Sequence, residues 1–285
     1  MDNDGPSRTA LITAYARAYH QIADHPPIFP DPLAARLLGV TAEELTESGT
    51  TDSLGLAVGD RSRRLFFAAR ARFAEDAVAA AVATGVRQVV ILGAGLDTFA
   101  YRNPSPDLRV FEVDHPATQA WKRERLTAAG IDRPETVTFV SVDFETSTLA
   151  TELESSGFER TDPAVFVWLG VVFYLTPDAA HATLEYIAGQ ARWVEVIFDY
   201  LQPAVGEEDR AYQRVRADRL AAAGEPVRSY FTPDDLAAQL RALGFTDLED
   251  HSAPDLVAGY LNGSAAFGGE PPRALGANRI LRASR

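Results

Sequence analysis

The chain has no cysteine, which removes disulfides, thiolate metal ligands and cysteine nucleophiles together. It has almost no lysine. With the heavy use of Ala, Arg and Pro this suggests GC-rich coding and says nothing about function. Basic residues are scarce overall: 27 Lys and Arg stand against 40 Asp and Glu, a formal net charge of −13 over 285 residues. Phosphate backbones and anionic membranes repel such a chain, so neither nucleic acid nor membrane is expected as a partner. No run approaches the ~20 apolar residues of a transmembrane helix. The start "MDNDGPSRTA" lacks a basic stretch followed by an apolar one. The expectation is a soluble cytoplasmic protein. None of the five histidines shows metal spacing with another ligand, and no metal is expected. There is no internal repeat and no low-complexity tract.

What is present reads as α/β. Hydrophobic residues make up 46% and charged residues 24%, ordinary values for a chain that can bury a sizeable core. Leu11, Tyr15, Ala18 and Ile22 recur at helical spacing over residues 8–23, and the prolines of "DHPPIFPDP" end that helix. A short helix is expected from Pro32 to Leu38. Residues 41–60, polar and without a period, read as a loop. A long helix over 61–82 places Leu65, Ala69, Phe73, Ala77 and Ala80 on one face. Five strand segments then follow at 87–92, 108–114, 136–144, 164–170 and 193–201, alternating with helical stretches at 116–129, 146–155 and 178–191. That alternation implies a mostly parallel sheet. A charged helical segment over 203–225 reads as an insertion. A helix over 232–245 has Thr232 as its N-cap and Gly244 past its end, and "TDLEDH" and "NRILRAS" offer two closing strands. The expected organisation is an N-terminal helical cover or substrate lid over residues 1–60 and a core over 61–285, with the insertion near 203–230.

The chemistry gathers at strand ends. "ILGAGLDTFAYR" (91–102) is a strand running into Gly93, Ala94 and Gly95, where a ligand can approach backbone without meeting a Cβ. The nicotinamide fingerprint wants a third glycine, and this stretch has Asp97 and Thr98 instead. A carboxylate there would repel a pyrophosphate at the helix N-terminus. S-adenosylmethionine, with a sulfonium and an amino acid but no phosphate, tolerates it. Glu112 and Asp114 end the second strand segment on one side of it, where an acid can accept ribose hydroxyls. Asp143 and Phe144 end the third, placed for the adenine amino group and ring. Any one of these acids could be a solvated strand end or a helix cap. The three in chain order point to a cofactor site.

"ILGAGLDTFAYR", "VFEVDHP", "VDF" and "WLGVVFYLTP" resemble the leucine carboxyl methyltransferase family. They are most similar to its actinobacterial branch of S-adenosylmethionine-dependent methyltransferases, which includes carboxyl O-methyltransferases of polyketide pathways. "TALITAYARAYH", "FPDPLAARLLG" and "FFAARARFAED" match that branch too, so the resemblance covers about residues 7–200. It implies the Rossmann-like class I methyltransferase fold with a seven-stranded, mostly parallel sheet. It also implies that Arg70 meets the methionine carboxylate and that Gly93 and Gly95 line the methionyl part. Asp114 would hold the ribose, Asp143 and Phe144 would flank the adenine, and Tyr174 would stand near the acceptor. Arg17 falls close to a basic N-terminal position of the family. One departure stands out: where the family has an acidic residue before a small one after the fourth strand, this chain has Leu169–Gly170.

Methyl transfer from a sulfonium is an in-line displacement in which the enzyme supplies proximity and alignment. A carboxylate acceptor is already ionised at neutral pH, whereas a hydroxyl needs a base, most naturally histidine. His20 and His25, in the cover, are the candidates, and Tyr15, Tyr19, Ile28, Phe29, Phe66 and Phe67 suit an apolar acceptor or a core equally. The expectation is O-methylation, at a carboxylate or hydroxyl, of a small molecule such as a secondary metabolite, with Tyr174, Arg70 and His20 as the catalytic residues. Two alternatives stand beside it: a protein that binds the cofactor but has lost or changed the transfer, motivated by Leu169, and a nicotinamide dehydrogenase, disfavoured by Asp97 and the absent third glycine.

Overall fold

A computed structural model of the chain describes residues 7–50, 58–142, 148–261, 267 and 270–285. The chain divides into two compact units, Met1–Phe158 and Glu159–Arg285, and the boundary expected at residue 60 falls inside the first.

The first unit opens with α1 (Arg8–Ala23), capped by the Ser7 hydroxyl, which accepts from the Ala10 amide at 3.0 Å. α2 (Ala34–Leu38) stops at Gly39, whose φ of +70° a residue with a Cβ adopts only under strain. Residues 41–60 are not all loop: Ala42–Thr50 form α3. The signal was a capping box, "TAEE". The Thr41 hydroxyl accepts from the Glu44 amide at 3.2 Å and the Glu44 carboxylate from the Thr41 amide at 2.8 Å. Residues 51–57 lie outside the described ones. α4 (Arg61–Ala83) is capped by Asp60, and its buried stripe runs Leu65, Ala69, Phe73, Ala77 and then Ala81. The expected Ala80 is exposed, because the long stripe drifts round the helix. In α1, Ile22 is likewise exposed at 37%.

β1 (Gln88–Leu92), β2 (Arg109–Asp114) and β3 (Val137–Ser141) follow, with α5 (Phe99–Arg102), α6 (Pro116–Ala128) and α7 (Leu149–Ser155) after each in turn. β2 pairs in parallel with β1 on one side and β3 on the other. β1 is buried throughout, as its unbroken β-branched run requires of a strand covered on both faces. The cover is not a separate body: Ala14, Ala18, Leu37, Leu38 and Leu45 share one apolar cluster with Leu96, just past β1, and Leu126 of α6. Each fully buried leucine there stabilises by ~2 kcal/mol.

The second unit holds β4 (Ala164–Trp168), a 3₁₀ turn (Val172–Tyr174), α8 (Pro177–Ala188), β5 (Val194–Leu201), α9 (Glu207–Ala222), α10 (Pro233–Ala242), β6 (Asp247–Ser252), α11 (Ala253–Tyr260), a second 3₁₀ turn (Arg273–Leu275) and β7 (Asn278–Ser284). β4 and β5 are parallel, and β7 lies antiparallel between β5 and β6. The Thr232 hydroxyl caps α10 as its sequence predicts. All eight residues of β5 are buried, Glu195 and Asp199 included. β6, polar and only partly buried, is an edge strand blunted by its charges. The chain is thus an α/β protein with seven strands in one mixed, mostly parallel sheet, and helices around it.

Candidate active site

In the first unit the turn after β1 is built by two positive φ angles, +66° at Gly93 and +44° at Gly95. Gly93 is exposed while Ala94, Gly95 and Leu96 are buried. The approach to backbone is therefore open at Gly93, and Gly95 serves packing: a Cβ on it would meet the Ala10 Cβ of α1 at 3.4 Å. The Ala94 amide donates to the Val113 carbonyl at 3.0 Å. The Gly95 amide donates to Asp114 Oδ2 at 2.6 Å, and the His115 amide to Asp114 Oδ1 at 2.7 Å. The turn and the end of β2 are thereby locked together. Burial pushes the Asp114 carboxyl up, and these two amides and the charge of Lys122 pull it back.

Asp97 and Thr98 both have partners within the first unit. Asp97 Oδ1 accepts from the Phe99 amide at 2.7 Å, capping the first turn of α5. Thr98, 1% exposed, donates to Asp31 Oδ1 at 2.8 Å and accepts from Arg102 Nε at 3.0 Å. Asp31 is the hub of this network. It pairs with Arg17 Nε at 3.1 Å and with Arg102 Nε at 3.4 Å, while Arg17 Nη2 donates to the Leu96 carbonyl at 2.6 Å and Arg102 pairs with Glu75. Thr98 and Arg102, the "T" and "R" that follow this glycine turn, thus fasten the helical cover to it. Sequence reasoning missed Asp31, since nothing in "FPDPL" separates it from an ordinary loop acid.

Glu112 does not lie open beside Asp114. It is 1% exposed, its Oε2 taken by Lys122 Nζ at 2.8 Å and by the Tyr101 hydroxyl at 3.2 Å. Period-two alternation gave its side of the strand and could not give its depth. Asp143 and Phe144 lie outside the described residues. Arg70 is buried on α4, its guanidinium over the Phe67 ring at 4.8 Å and the Phe66 ring at 5.8 Å.

His20 departs from the base expected of it. The ring is fully buried, with Nδ1 on Asp24 Oδ2 at 2.9 Å and Nε2 accepting from the Ile28 amide at 2.9 Å. Both nitrogens are thus engaged, and the ring braces the cover. Asp24 also takes Arg64 at 2.7 Å, and these partners outweigh its burial, holding its carboxyl at about 2. His25 is exposed. His115 caps α6, its Nδ1 accepting from the Ala117 amide at 3.3 Å.

In the second unit the segment after β4 is apolar. Leu169 is half-buried. Gly170, at φ +76°, donates its amide to Asp199 Oδ1 at 2.5 Å. Sequence reasoning found the missing acid at 169 and overlooked this one, which reaches the same turn from β5. Tyr174 is half-buried, edge-on to Phe173 with ring centroids 4.5 Å apart. The Phe173 carbonyl accepts from the Arg228 amide at 2.8 Å, and the Ser229 hydroxyl donates to the Val172 carbonyl at 3.2 Å, so the turn carrying Tyr174 is held from a distant part of the chain. Among the described residues no group of three or more His, Asp or Glu is placed to hold a metal ion, and no helix is long and apolar enough to cross a membrane.

The chain has relatives among known proteins. The family described as leucine carboxyl methyltransferase matches residues 10–188. A protein of Bacillus subtilis (strain 168), provisionally named S-adenosyl-L-methionine-dependent methyltransferase YktD, is 32% identical over 280 residues, spanning 90% of this chain and 91% of its own. A protein of Mycolicibacterium gilvum (strain PYR-GCK), with the same kind of provisional name, is 30% identical over 251 residues, spanning 85% and 79%. Among solved structures, a DUF574 family protein from Streptomyces avermitilis MA-4680 superposes with a TM-score of 0.57 at 16% identity, covering 98% of this chain and 97% of that one. A protein of Thermobifida fusca YX, provisionally described as a methyltransferase, gives 0.55 at 16%, covering 99% and 96%. At such identities the two structures speak for the fold alone, that of the class I methyltransferases.

Proposed function

The chain belongs to the leucine carboxyl methyltransferase family, and from that premise we propose that this S-adenosyl-L-methionine-dependent methyltransferase methylates an oxygen of a small molecule, a carboxylate before a hydroxyl. The residues fit the cofactor. Gly93 leaves backbone exposed, and Asp114 has both oxygens fixed by amides with lone pairs left for a vicinal diol. The acids Asp97 and Asp114 suit a cationic ligand better than a pyrophosphate, which also counts against a nicotinamide dinucleotide. In this reading Gly93, Ala94, Gly95 and Asp114 hold the cofactor, joined by Asp143 and Phe144. Asp97, Thr98 and Glu112 shape that site through their neighbours, Arg70 meets the methionine carboxylate, and Leu169 and Tyr174 border the acceptor.

The bound cofactor supplies a methyl group on a sulfonium leaving group. With the cofactor held by Gly93, Ala94, Gly95 and Asp114, a carboxylate acceptor would take that methyl group without a proton having to move. The state of the histidines carries the preference for such an acceptor. His20 and His115 have structural partners, His251 pairs with Glu249 at 2.8 Å, and His25 and His181 are exposed. A carboxylate asks no base of any of them.

The test is transfer of labelled methyl from S-adenosylmethionine to panels of small carboxylic acids and phenols. Label that alkali releases as methanol marks an ester and supports the reading; alkali-stable label marks an ether and turns the assignment to a hydroxyl. Leu169 favours a second reading, a protein that binds the cofactor without transferring its methyl. Transfer that is absent in the wild type and present in Leu169→Glu would support that one.

A further inference from the structure

Lys122 is the one lysine in the chain; every other basic side chain is arginine. It is also 1% exposed, which is rare for lysine without a paired charge. Its ammonium donates to Glu112 Oε2 at 2.8 Å and lies 5.3 Å from the centroid of the Tyr101 ring, and the Tyr101 hydroxyl donates to the same oxygen. Glu112 Oε1, equally buried, has no hydrogen-bond partner. Stability alone is a poor reason for such a pair: a buried ion pair can be replaced by apolar residues of similar volume without loss, and the orphaned oxygen adds a further cost. A guanidinium would bring five donors into a pocket that offers one carboxylate oxygen and one ring face, whereas the ammonium brings three.

The place of the pair suggests its use. Glu112 is two residues before Asp114 on β2, and Lys122 acts by its charge on both carboxylates. The other groups facing this corner are Asp97 from the glycine turn, Tyr101 from α5, and His115 and Thr118 from the start of α6, with Arg133 acting on Tyr101. The flanking strands bring only Ile91, Phe139 and Ser141 into register with Glu112 and Asp114. Two carboxylates of β2 therefore share one ammonium, with Asp97 adding negative charge beside Glu112.

We propose that Lys122 is a positioning residue for the cofactor: it anchors Glu112 and Tyr101 at the end of β2 and supplies the positive charge that keeps Asp114 an acceptor for the ribose. This rests on the reading that Asp114 holds the ribose. Burial already pushes Asp114 up. Without Lys122 the carboxyl rises further and takes up a proton at a higher pH, and a protonated Asp114 accepts poorly.

The test titrates S-adenosylhomocysteine, by calorimetry from pH 5.5 to 8, into the full-length wild type, Lys122→Met and the double variant Glu112→Gln/Lys122→Met. The double variant leaves no uncompensated charge in the pocket, and its thermal midpoint separates folding from binding. The expected result is that the acid limb of the affinity profile moves to higher pH in Lys122→Met, where the charge of Glu112 is left uncompensated beside Asp114, and moves back towards the wild type in the double variant, where both charges are gone. Each pH unit of displacement weakens binding about tenfold on that limb, with recovery towards pH 8. A folded Lys122→Met variant with the wild-type profile overturns the proposal, as does a double variant displaced as far as the single one, or a uniform loss of affinity at every pH, the mark of a merely structural residue. If the wild type itself binds no S-adenosylhomocysteine, the cofactor reading falls and this one with it; wild-type binding with an unshifted Lys122→Met profile refutes this one alone.

Discussion

The corner where β2 ends and the corner where β4 ends are built on opposite lines. In the first unit the glycine turn is surrounded by charge: Asp114 on two amides, Glu112 on Lys122, and Thr98 and Leu96 tied to Asp31 and Arg17. In the second, Leu169, Phe173 and Tyr174 present apolar and aromatic surface, and a single carboxylate, Asp199, fastens the turn through the Gly170 amide. The first corner has the character of a site for one charged and invariant ligand, whose hydroxyls and charges require fixed partners. The second has that of a site whose ligand is met mostly by shape.

The sharpest way to break this contrast is Asp31→Ala. It leaves Arg17 with an unpaired buried charge and Arg102 with Glu75 alone, and stability should fall by about 3–5 kcal/mol, seen as a lowered denaturant midpoint. A loss below about 1 kcal/mol, the range of an exposed ion pair, would show that the cover is not fastened through this hub. Asp199→Asn keeps the acceptor atom for Gly170 and removes only the charge, so the expected loss is about 1 kcal/mol. Affinity for S-adenosylhomocysteine should stay within about threefold of wild type; a larger drop would place Asp199 in the cofactor site.

The smallest effect is expected at Glu195 on β5, where burial raises the carboxyl to about 7 despite Arg282 at 3.6 Å. The folded chain then holds a proton that the unfolded chain releases above its ordinary pKa of about 4.5. That contribution is full at lower pH and is lost as the pH climbs towards 7. Glu195→Gln should flatten the fall in thermal midpoint between pH 5 and 8 by a few degrees, and an unchanged slope would count against the raised value.

The same contrast explains how much the sequence disclosed. Strands and helices were legible wherever burial is uniform or periodic: the apolar runs of β1, β4 and β5, the Thr232 cap, and Asp114 at the end of β2. α3 was hidden because its signal is a reciprocal cap, and only Leu45 among its described side chains is buried. The roles of Thr98 and Glu112 could not be read locally, since their partners Asp31 and Lys122 stand 67 and 10 positions away in the chain. His20 looked available because a sequence shows a side chain's chemistry and not who already holds it.

The account rests most heavily on the carboxylate that joins β2 to the glycine turn. Calorimetric titration of S-adenosylhomocysteine into the wild type and Asp114→Asn tests it directly. One site per chain is expected in the wild type, and a weakening of about a hundredfold in the variant, as follows from losing charge-assisted bonds worth roughly 1.5–3 kcal/mol each. Equal affinity in the two proteins, or no binding to either, would contradict it.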